Sequence, residues 1–373
     1  MKRWRKRWTA GLFIALFFLY NHVGALSEDA TSARAACVME METGRVLFAV
    51  NMNDRLPMAS TTKVMTALLA LERGSMDAMV TCSDNAFGVS GTSIYLSQGE
   101  TLSLRDMLLG LMLASGNDAA VAIAEHVGGS VDGFLSMMNA RAKEIGAYNT
   151  HFANPHGLPD ENHYTTAYDL ALIARTAMQN AAFRELVSTK KAQIPWAGRT
   201  HSRQLNNKNR LLTSYPGATG IKTGYTSKAG RCLVFGAARD GMELVGVVLG
   251  CGNWFDEAER LLNHCFDAYE MKTVLGPMQS AGQIGVAGGR EESVPMCLMQ
   301  ALSAPLAAGE EGQIVLDIPQ QVPAPVYPGM HLGTAHLVIN GQEYARSEVV
   351  ASQAVAAGRV TLDVMRVIAH WTL

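Results

Sequence analysis

Residues 60–73 read Ser60-Thr61-Thr62-Lys63-Val64-Met65-Thr66-Ala67-Leu68-Leu69-Ala70-Leu71-Glu72-Arg73. Hydroxyl-bearing residues open the run, Val64, Leu68 and the neighbouring Met65 and Leu69 form one broad apolar face, and charge gathers at the far end. That spacing predicts a helix. Ser60 and Lys63 stand at i and i+3, so hydroxyl and amine share a face and can approach. A serine hydroxyl is a poor nucleophile until a base removes its proton. A lysine serves as that base when desolvation and a nearby cation lower its pKa. Taken alone, S-x-x-K equally describes a capped helix start with a solvated lysine, because so short a pattern is common.

Two further short motifs lie downstream. Ser115-Gly116-Asn117 falls at the break between two apolar helical patterns, residues 103–113 and 118–126. It reads equally well as a plain turn, since all three residue types favour turns. As chemistry it offers a hydroxyl that passes a proton to a leaving amine, beside an amide that orients lysine and substrate. Lys222-Thr223-Gly224 precedes two apolar runs, 233–238 and 242–249, joined at Arg239-Asp240-Gly241, a hairpin signal. It reads either as a charged strand end or as a cation and hydroxyl for a substrate carboxylate. A bare Gly224 then lets a ligand backbone lie against the strand.

Each motif is weak alone. Together, in this order, S-x-x-K, S-x-N and K-T-G form the set of penicillin-binding proteins and class A β-lactamases. The chain resembles the low-molecular-mass penicillin-binding proteins that are serine-type D-alanyl-D-alanine carboxypeptidases. The resemblance rests on Pro57 to Lys63, Ala114-Ser115-Gly116-Asn117-Asp118-Ala119-Ala120, Asn154-Pro155-His156-Gly157-Leu158 with Thr166-Ala167-Tyr168-Asp169, and Gly220 to Thr226. It implies an α+β fold: a transpeptidase-like domain, an antiparallel sheet flanked by helices, followed by a small all-β domain and a short amphipathic helix.

The resemblance also implies roles. Ser60 would form the acyl-enzyme and Lys63 would take its proton, kept neutral by Lys222 across the same cleft. Ser115 would relay a proton to the departing D-Ala amine, and Asn117 would hold Lys63 and the substrate amide. Lys222 and Thr223, with Gly224 and Tyr225 beside them, would bind the substrate. The N–H groups of Ser60 and Tyr225 would form the oxyanion hole. The partners implied are a peptidoglycan stem peptide ending in D-Ala-D-Ala and β-lactams as covalent inhibitors, with no metal or organic cofactor. One departure stands out: Trp254 occupies the place where family members often carry an arginine, leaving Lys222, helped by Lys208 or Arg210, to hold the carboxylate. The same motifs serve a β-lactamase, a D,D-endopeptidase cutting cross-links, or a wall-binding module without catalysis; a second domain argues against the first and four intact side chains against the last.

The rest of the chain is consistent with an exported enzyme. Of 373 residues, 48% are hydrophobic and 17% charged, so a sizeable core can be buried. A net charge of −2 gives no basic excess for nucleic acid. Yet Lys2, Arg3, Arg5, Lys6 and Arg7 cluster before an apolar run at residues 10–20, a signal-peptide pattern with cleavage expected after Ala25. Residues 1–25 are therefore read as a signal peptide, residues 35–275 as the catalytic domain and 280–355 as the β domain, where short runs are broken by Gly and Pro. Residues 358–373 carry Val360, Val364, Val367, Ile368 and Trp371 at helical spacing, expected to lie on the outer face of the cytoplasmic membrane. The six scattered cysteines read as small buried residues. His151, His156 and His163, with Asp160 and Glu161, sit among Pro155 and Pro159 and read as a structured loop rather than a metal site.

Overall fold

The two runs 233–238 and 242–249 are apolar almost without interruption, which fits strands buried on both faces. A computed structural model describes residues 31–358 and shows this. The expected signal peptide, and all but the first residue of the expected C-terminal helix, lie outside the described residues. Strands Gly230–Arg239 and Met242–Leu249 pair through the expected hairpin, Arg239 opposite Met242. They sit inside a five-stranded antiparallel sheet, ordered Val46–Val50, Ala35–Glu40, Met242–Leu249, Gly230–Arg239, Ala218–Thr226. Alternation assigns the faces. Cys37, Met39, Cys232, Val234, Val245 and Val247 join the large core with the helices Lys63–Arg73, Asn117–Gly128 and Ala167–Met178. Residues of the other parity are also buried, and helix Trp254–Ala268 packs against these strands. Helices therefore cover both faces.

The helix after Ser60 differs from the expected one-faced pattern. Lys63 through Ala70 are all buried, so it is a central core helix rather than a surface one. A short 3-10 turn, Ala59–Thr62, leads into it. Ser103 caps the next helix by accepting from the Asp106 N–H. That helix then loosens into a π-helical turn, Gly110–Ala114, and ends with Ser115 in the left-handed region at φ 67°.

A second hydrophobic core gathers beyond helix Trp254–Ala268. Its six-stranded sheet runs Gln313–Asp317, His331–Ile339, Gln342–Ala351, Ser293–Leu298, Ser280–Ala287, Gln321–Pro323. Asn340 and Gly341 both adopt positive φ, the backbone of a type I′ turn, and close the hairpin of His331–Ile339 with Gln342–Ala351. Strand Tyr269–Leu275 pairs with Leu302–Ala307 and packs Val274 and Leu275 on this second core. The change of partner thus comes upstream of Gly276, at a point that no glycine or proline marks. One residue ties this region to the first hairpin. Arg45 reaches Glu310 and the Pro305 carbonyl, with its guanidinium 5.5 Å from the Tyr269 ring centroid and 5.4 Å from that of Tyr344.

Candidate active site

Lys63 is the centre of the site. Its Nζ lies 3.0 Å from Ser60 Oγ, 2.7 Å from Asn117 Oδ1 and 2.7 Å from the His156 carbonyl. Two of these three neighbours are carbonyl oxygens and can only accept. A neutral amine satisfies them with its two N–H groups and turns its lone pair to the Ser60 hydroxyl. The electrostatics favour that state. Burial first, then Lys222 and Lys208, hold the Lys63 pKa well below its usual value against the opposing pull of Asp118. The sequence pointed to desolvation and a nearby cation, and burial is the larger of the two.

Several elements converge to fix these groups. The loop at residues 154–158 lies along the helix, where Pro155 and His156 present their carbonyls to Thr66 and Lys63, i and i+3 on one face. Asn154 braces the loop by accepting from the His156 and Gly157 N–H groups and donating to the Leu158 carbonyl. Gly157 takes φ 94°, and a Cβ there would stand 1.9 Å from the Ala59 carbonyl oxygen, so only glycine permits this approach. On the other side, Asn117 donates to the Ser90 carbonyl. Asp118 accepts from the Ser93 hydroxyl and the Ile94 and Leu96 N–H groups, tying the segment around Ser90 to the same helix start.

The K-T-G strand lies across from the nucleophile. A Cβ on Gly224 would stand 2.8 Å from the Ser60 nitrogen. The sequence reading reserved that bareness for a ligand; the nucleophile's own turn already uses it. Lys222 is buried and donates to the Thr223 carbonyl at 3.0 Å. Burial, helped by Lys208, brings its pKa down to about 7. Thr223 is buried at the sheet edge, while Tyr225 is exposed beside an open cavity of about 600 Å³ lined with Gly230, Arg231, Gly250, Cys251 and Gly252.

The structure therefore brings Ser60, Lys63 and Asn117 into direct contact and sets Gly224 against them. Ser115 is buried two residues before Asn117, and its hydroxyl has no hydrogen-bond partner among the described residues. Of the two cations considered for the carboxylate, Arg210 is engaged by Asp256 and lies over the Phe255 ring. Lys208 is exposed yet close enough to bear on both Lys63 and Lys222. Trp254 begins its helix with its ring tilted against that of Phe255, 4.9 Å between centroids.

The three histidines hold the loop by hydrogen bonds. His151 Nδ1 contacts the Asn162 carbonyl, and His156 Nδ1 accepts from the Leu158 N–H. His163 links Ala153 to Thr62. Burial pushes the His156 pKa down to about 3 and the His163 pKa down to about 4. Sequence reasoning missed the His156 carbonyl and His163; a backbone acceptor carries no residue signature, though the quoted Asn154 to Leu158 stretch contained it.

The chain is similar to known proteins. A family model for D-alanyl-D-alanine carboxypeptidase matches residues 22–253. The D-alanyl-D-alanine carboxypeptidase DacF of Bacillus subtilis is 34% identical over 357 residues, covering 93% of this chain and 92% of that one. Among solved structures, penicillin binding protein 5 from Haemophilus influenzae superposes with a TM-score of 0.73 at 28% identity, covering 87% of this chain and 98% of that one. A DD-transpeptidase of Streptomyces K15, solved as a serine-to-alanine mutant, gives 0.60 at 34% identity, covering 64% of this chain and 98% of that one. With its motifs assembled around one buried lysine and these relatives spanning most of its length, the chain belongs to the D-alanyl-D-alanine carboxypeptidase family, the low-molecular-mass penicillin-binding proteins.

Proposed function

We propose that this serine-type carboxypeptidase removes the terminal D-Ala of a peptidoglycan stem pentapeptide through an acyl-enzyme on Ser60, and that β-lactams trap the same serine. The observation that carries the reading is the contact of a buried Lys63 amine with Ser60 Oγ at 3.0 Å, its other neighbours being carbonyl acceptors.

The geometry supports the following steps. Neutral Lys63 takes the Ser60 proton as Oγ attacks the penultimate D-Ala carbonyl. The N–H groups of Ser60 and Tyr225 hold the oxyanion, where one such donor stabilises the transition state by about 3–4 kcal/mol. The proton on Lys63 passes through the unpartnered Ser115 hydroxyl to the amine of the departing D-Ala as the C–N bond breaks. Asn117 keeps Lys63 in register throughout. Charged Lys222 and the Thr223 hydroxyl take the terminal carboxylate. Water then attacks the ester as Lys63 takes its proton, and Lys63 returns that proton to Ser60 Oγ as the ester C–O bond breaks, freeing the serine hydroxyl and the shortened peptide.

The reaction is placed outside the cytoplasmic membrane by the basic and apolar head of the chain, with peripheral membrane contact through residues 358–373. No helix among the described residues is long and apolar enough to cross a membrane. Sedimentation with anionic vesicles should require residues 358–373; equal sedimentation of full-length and truncated protein would exclude the contact. The catalytic reading is tested with two peptides, one ending in a free carboxylate and one amidated there. Release of D-Ala from the first, and a loss of about 10- to 100-fold in kcat/KM on the second, is the expected result. Equal kinetics would favour cleavage of cross-links instead.

A further inference from the structure

His163 is not one of the residues that the three motifs assign. It is buried at 3% exposure, 101 residues from the nucleophile's turn in sequence, yet its Nε2 lies 2.7 Å from Thr62 Oγ1. Its tautomer is fixed by its other nitrogen. The Ala153 N–H lies 3.0 Å from Nδ1 and can only donate, so Nδ1 is an acceptor and the proton sits on Nε2. His163 therefore donates to Thr62. The Thr62 hydroxyl in turn donates to the Ala59 carbonyl at 2.8 Å. The chain of donors runs one way, from Ala153 through the imidazole and the threonine hydroxyl to Ala59.

Ala59 is an unusual end point. It is a non-glycine residue at φ 49°, immediately before the nucleophile. Such a conformation persists only where its surroundings hold it. Its peptide bond to Ser60 is trans and planar, so its carbonyl and the Ser60 N–H point in opposite directions. Whatever fixes the carbonyl on one side aims the N–H on the other. The carbonyl is confined by the Thr62 hydroxyl and by the close approach of Gly157, and the nitrogen lies against Gly224 of the K-T-G strand. A hydrogen bond to a peptide carbonyl also polarises its N–H into a better donor.

We infer that His163 is a positioning residue for the oxyanion hole: through Thr62 it orients and polarises the Ala59–Ser60 peptide, whose N–H stabilises the reacting carbonyl. This rests on the acyl-enzyme reading above. The imidazole touches no reacting atom and transfers no proton. It couples the loop at residues 153–163, which also supplies the His156 carbonyl to Lys63, to the donor that receives the developing charge. Base and oxyanion donor are thus set by one loop from two sides.

The two ring nitrogens can be separated by substitution. His163→Gln keeps a donor near Nε2 and can still reach Thr62; His163→Asn keeps an acceptor near Nδ1 but falls short of Thr62. Thr62→Val removes the relay hydroxyl at nearly constant shape. The full chain and these variants are compared for the rate of benzylpenicillin acylation, for kcat and KM on a D-Ala-D-Ala peptide, and for thermal midpoint. Losing one oxyanion donor outright costs about 100- to 1,000-fold in kcat, and misaiming it should cost roughly 10- to 100-fold. H163N and T62V should each slow acylation and kcat by that smaller factor, with KM changed less than about twofold, the mark of a lost transition-state contact. H163Q should recover most of the rate. Acylation by H163N and T62V at the rate of the unaltered protein would overturn the inference, as would an H163Q as slow as H163N, which would make the ring a packing element. If H163N does not fold, T62V alone decides by the same criterion. Failure of the unaltered protein to form any adduct would bring down the underlying reading; acylation that the variants leave unchanged would bring down only this one.

Discussion

The catalytic region and the β-rich region treat polar groups in opposite ways. Around Ser60, Lys63, Thr61, Thr62, Thr66, Ser115, Asn117, Asp118, His163, Lys222 and Thr223 are all buried. Past Tyr269, Ser347 is the one buried polar residue among those described, and it accepts from the Gln300 N–H. The β-rich region follows the ordinary rule that buried polar groups are few and paired. Its sheet alternates buried and more open positions, as in His331–Ile339. The catalytic region keeps two lysine side chains in a desolvated cleft, one with a lone pair turned to a hydroxyl. A fold gains no stability from that arrangement. The His156 and Thr223 carbonyls and the Asn117 amide hold the amines in place, and the proposed chemistry needs an uncharged base.

Breaking the contrast at its centre should have the largest effect. Lys63→Arg puts a permanent cation where a neutral amine stands and cannot take a proton, so general-base help worth about 100- to 10,000-fold is lost and acylation should fall by at least that much. Stopped-flow acylation with a labelled penicillin measures it, and near-normal rates in that variant would exclude Lys63 as the base. Gly157→Ala comes next. Its Cβ would collide with the Ala59 carbonyl, so both the loop and the nucleophile's turn must shift. A loss of roughly 100-fold in kcat is expected, on the scale of a misplaced catalytic group, and a correctly folded variant with unchanged kcat would contradict the packing argument.

The pair of lysines sharpens the comparison through pH. The proposed mechanism requires Lys63 neutral and Lys222 charged. As pH rises through about 7, free Lys222 loses its proton, so kcat/KM on a free-carboxylate peptide should fall on that side. Lys63 gives the acid limb, since protonating it removes the base. An amidated peptide should lack the alkaline limb; an identical profile would remove Lys222 from carboxylate binding. Stability runs in the other sense. Both lysines are depressed in the folded state, so above about pH 7 the unfolded chain holds protons that the folded chain does not, and stability rises toward the ordinary lysine pKa. Lys222→Met should accordingly raise the thermal midpoint while weakening carboxylate binding.

The smallest effect on catalysis is expected from the junction between the regions. Arg45→Met leaves Glu310 without its guanidinium and opens the gap between Tyr269 and Tyr344. A loss of roughly 2–3 kcal/mol in stability should follow, because a partly buried carboxylate loses its only cation and keeps just the Ala307 and Asn340 donors among the described residues, with kcat unchanged. A change in kcat would show that the β-rich region reaches the cleft after all.

Much of this was legible in the sequence, and the reasons differ by element. Ser60, Lys63 and Asn117 were readable because helical spacing puts reactive side chains on one face and the motifs recur in order. The Asp240-Gly241 hairpin was readable because only certain residues tolerate positive φ at both turn positions. The helix Val131–Ile145 was not, since Gly133, Ser136 and Asn139 interrupt its apolar pattern. The hairpin of Lys191–Ile194 with Arg203–Asn206 was hidden by its polar outer face. His163 escaped because its importance lies in a tautomer and a partner far away in sequence, and neither leaves a periodicity.

The central claim is that Ser60, activated by neutral Lys63, carries the acyl group. Intact-mass analysis of the full chain incubated with benzylpenicillin, followed by peptide mapping and repeated on Ser60→Ala, tests it most directly. The account predicts one stoichiometric adduct on the peptide containing Ser60 and none in the alanine variant. An adduct on another serine, or one that survives the substitution, would contradict it.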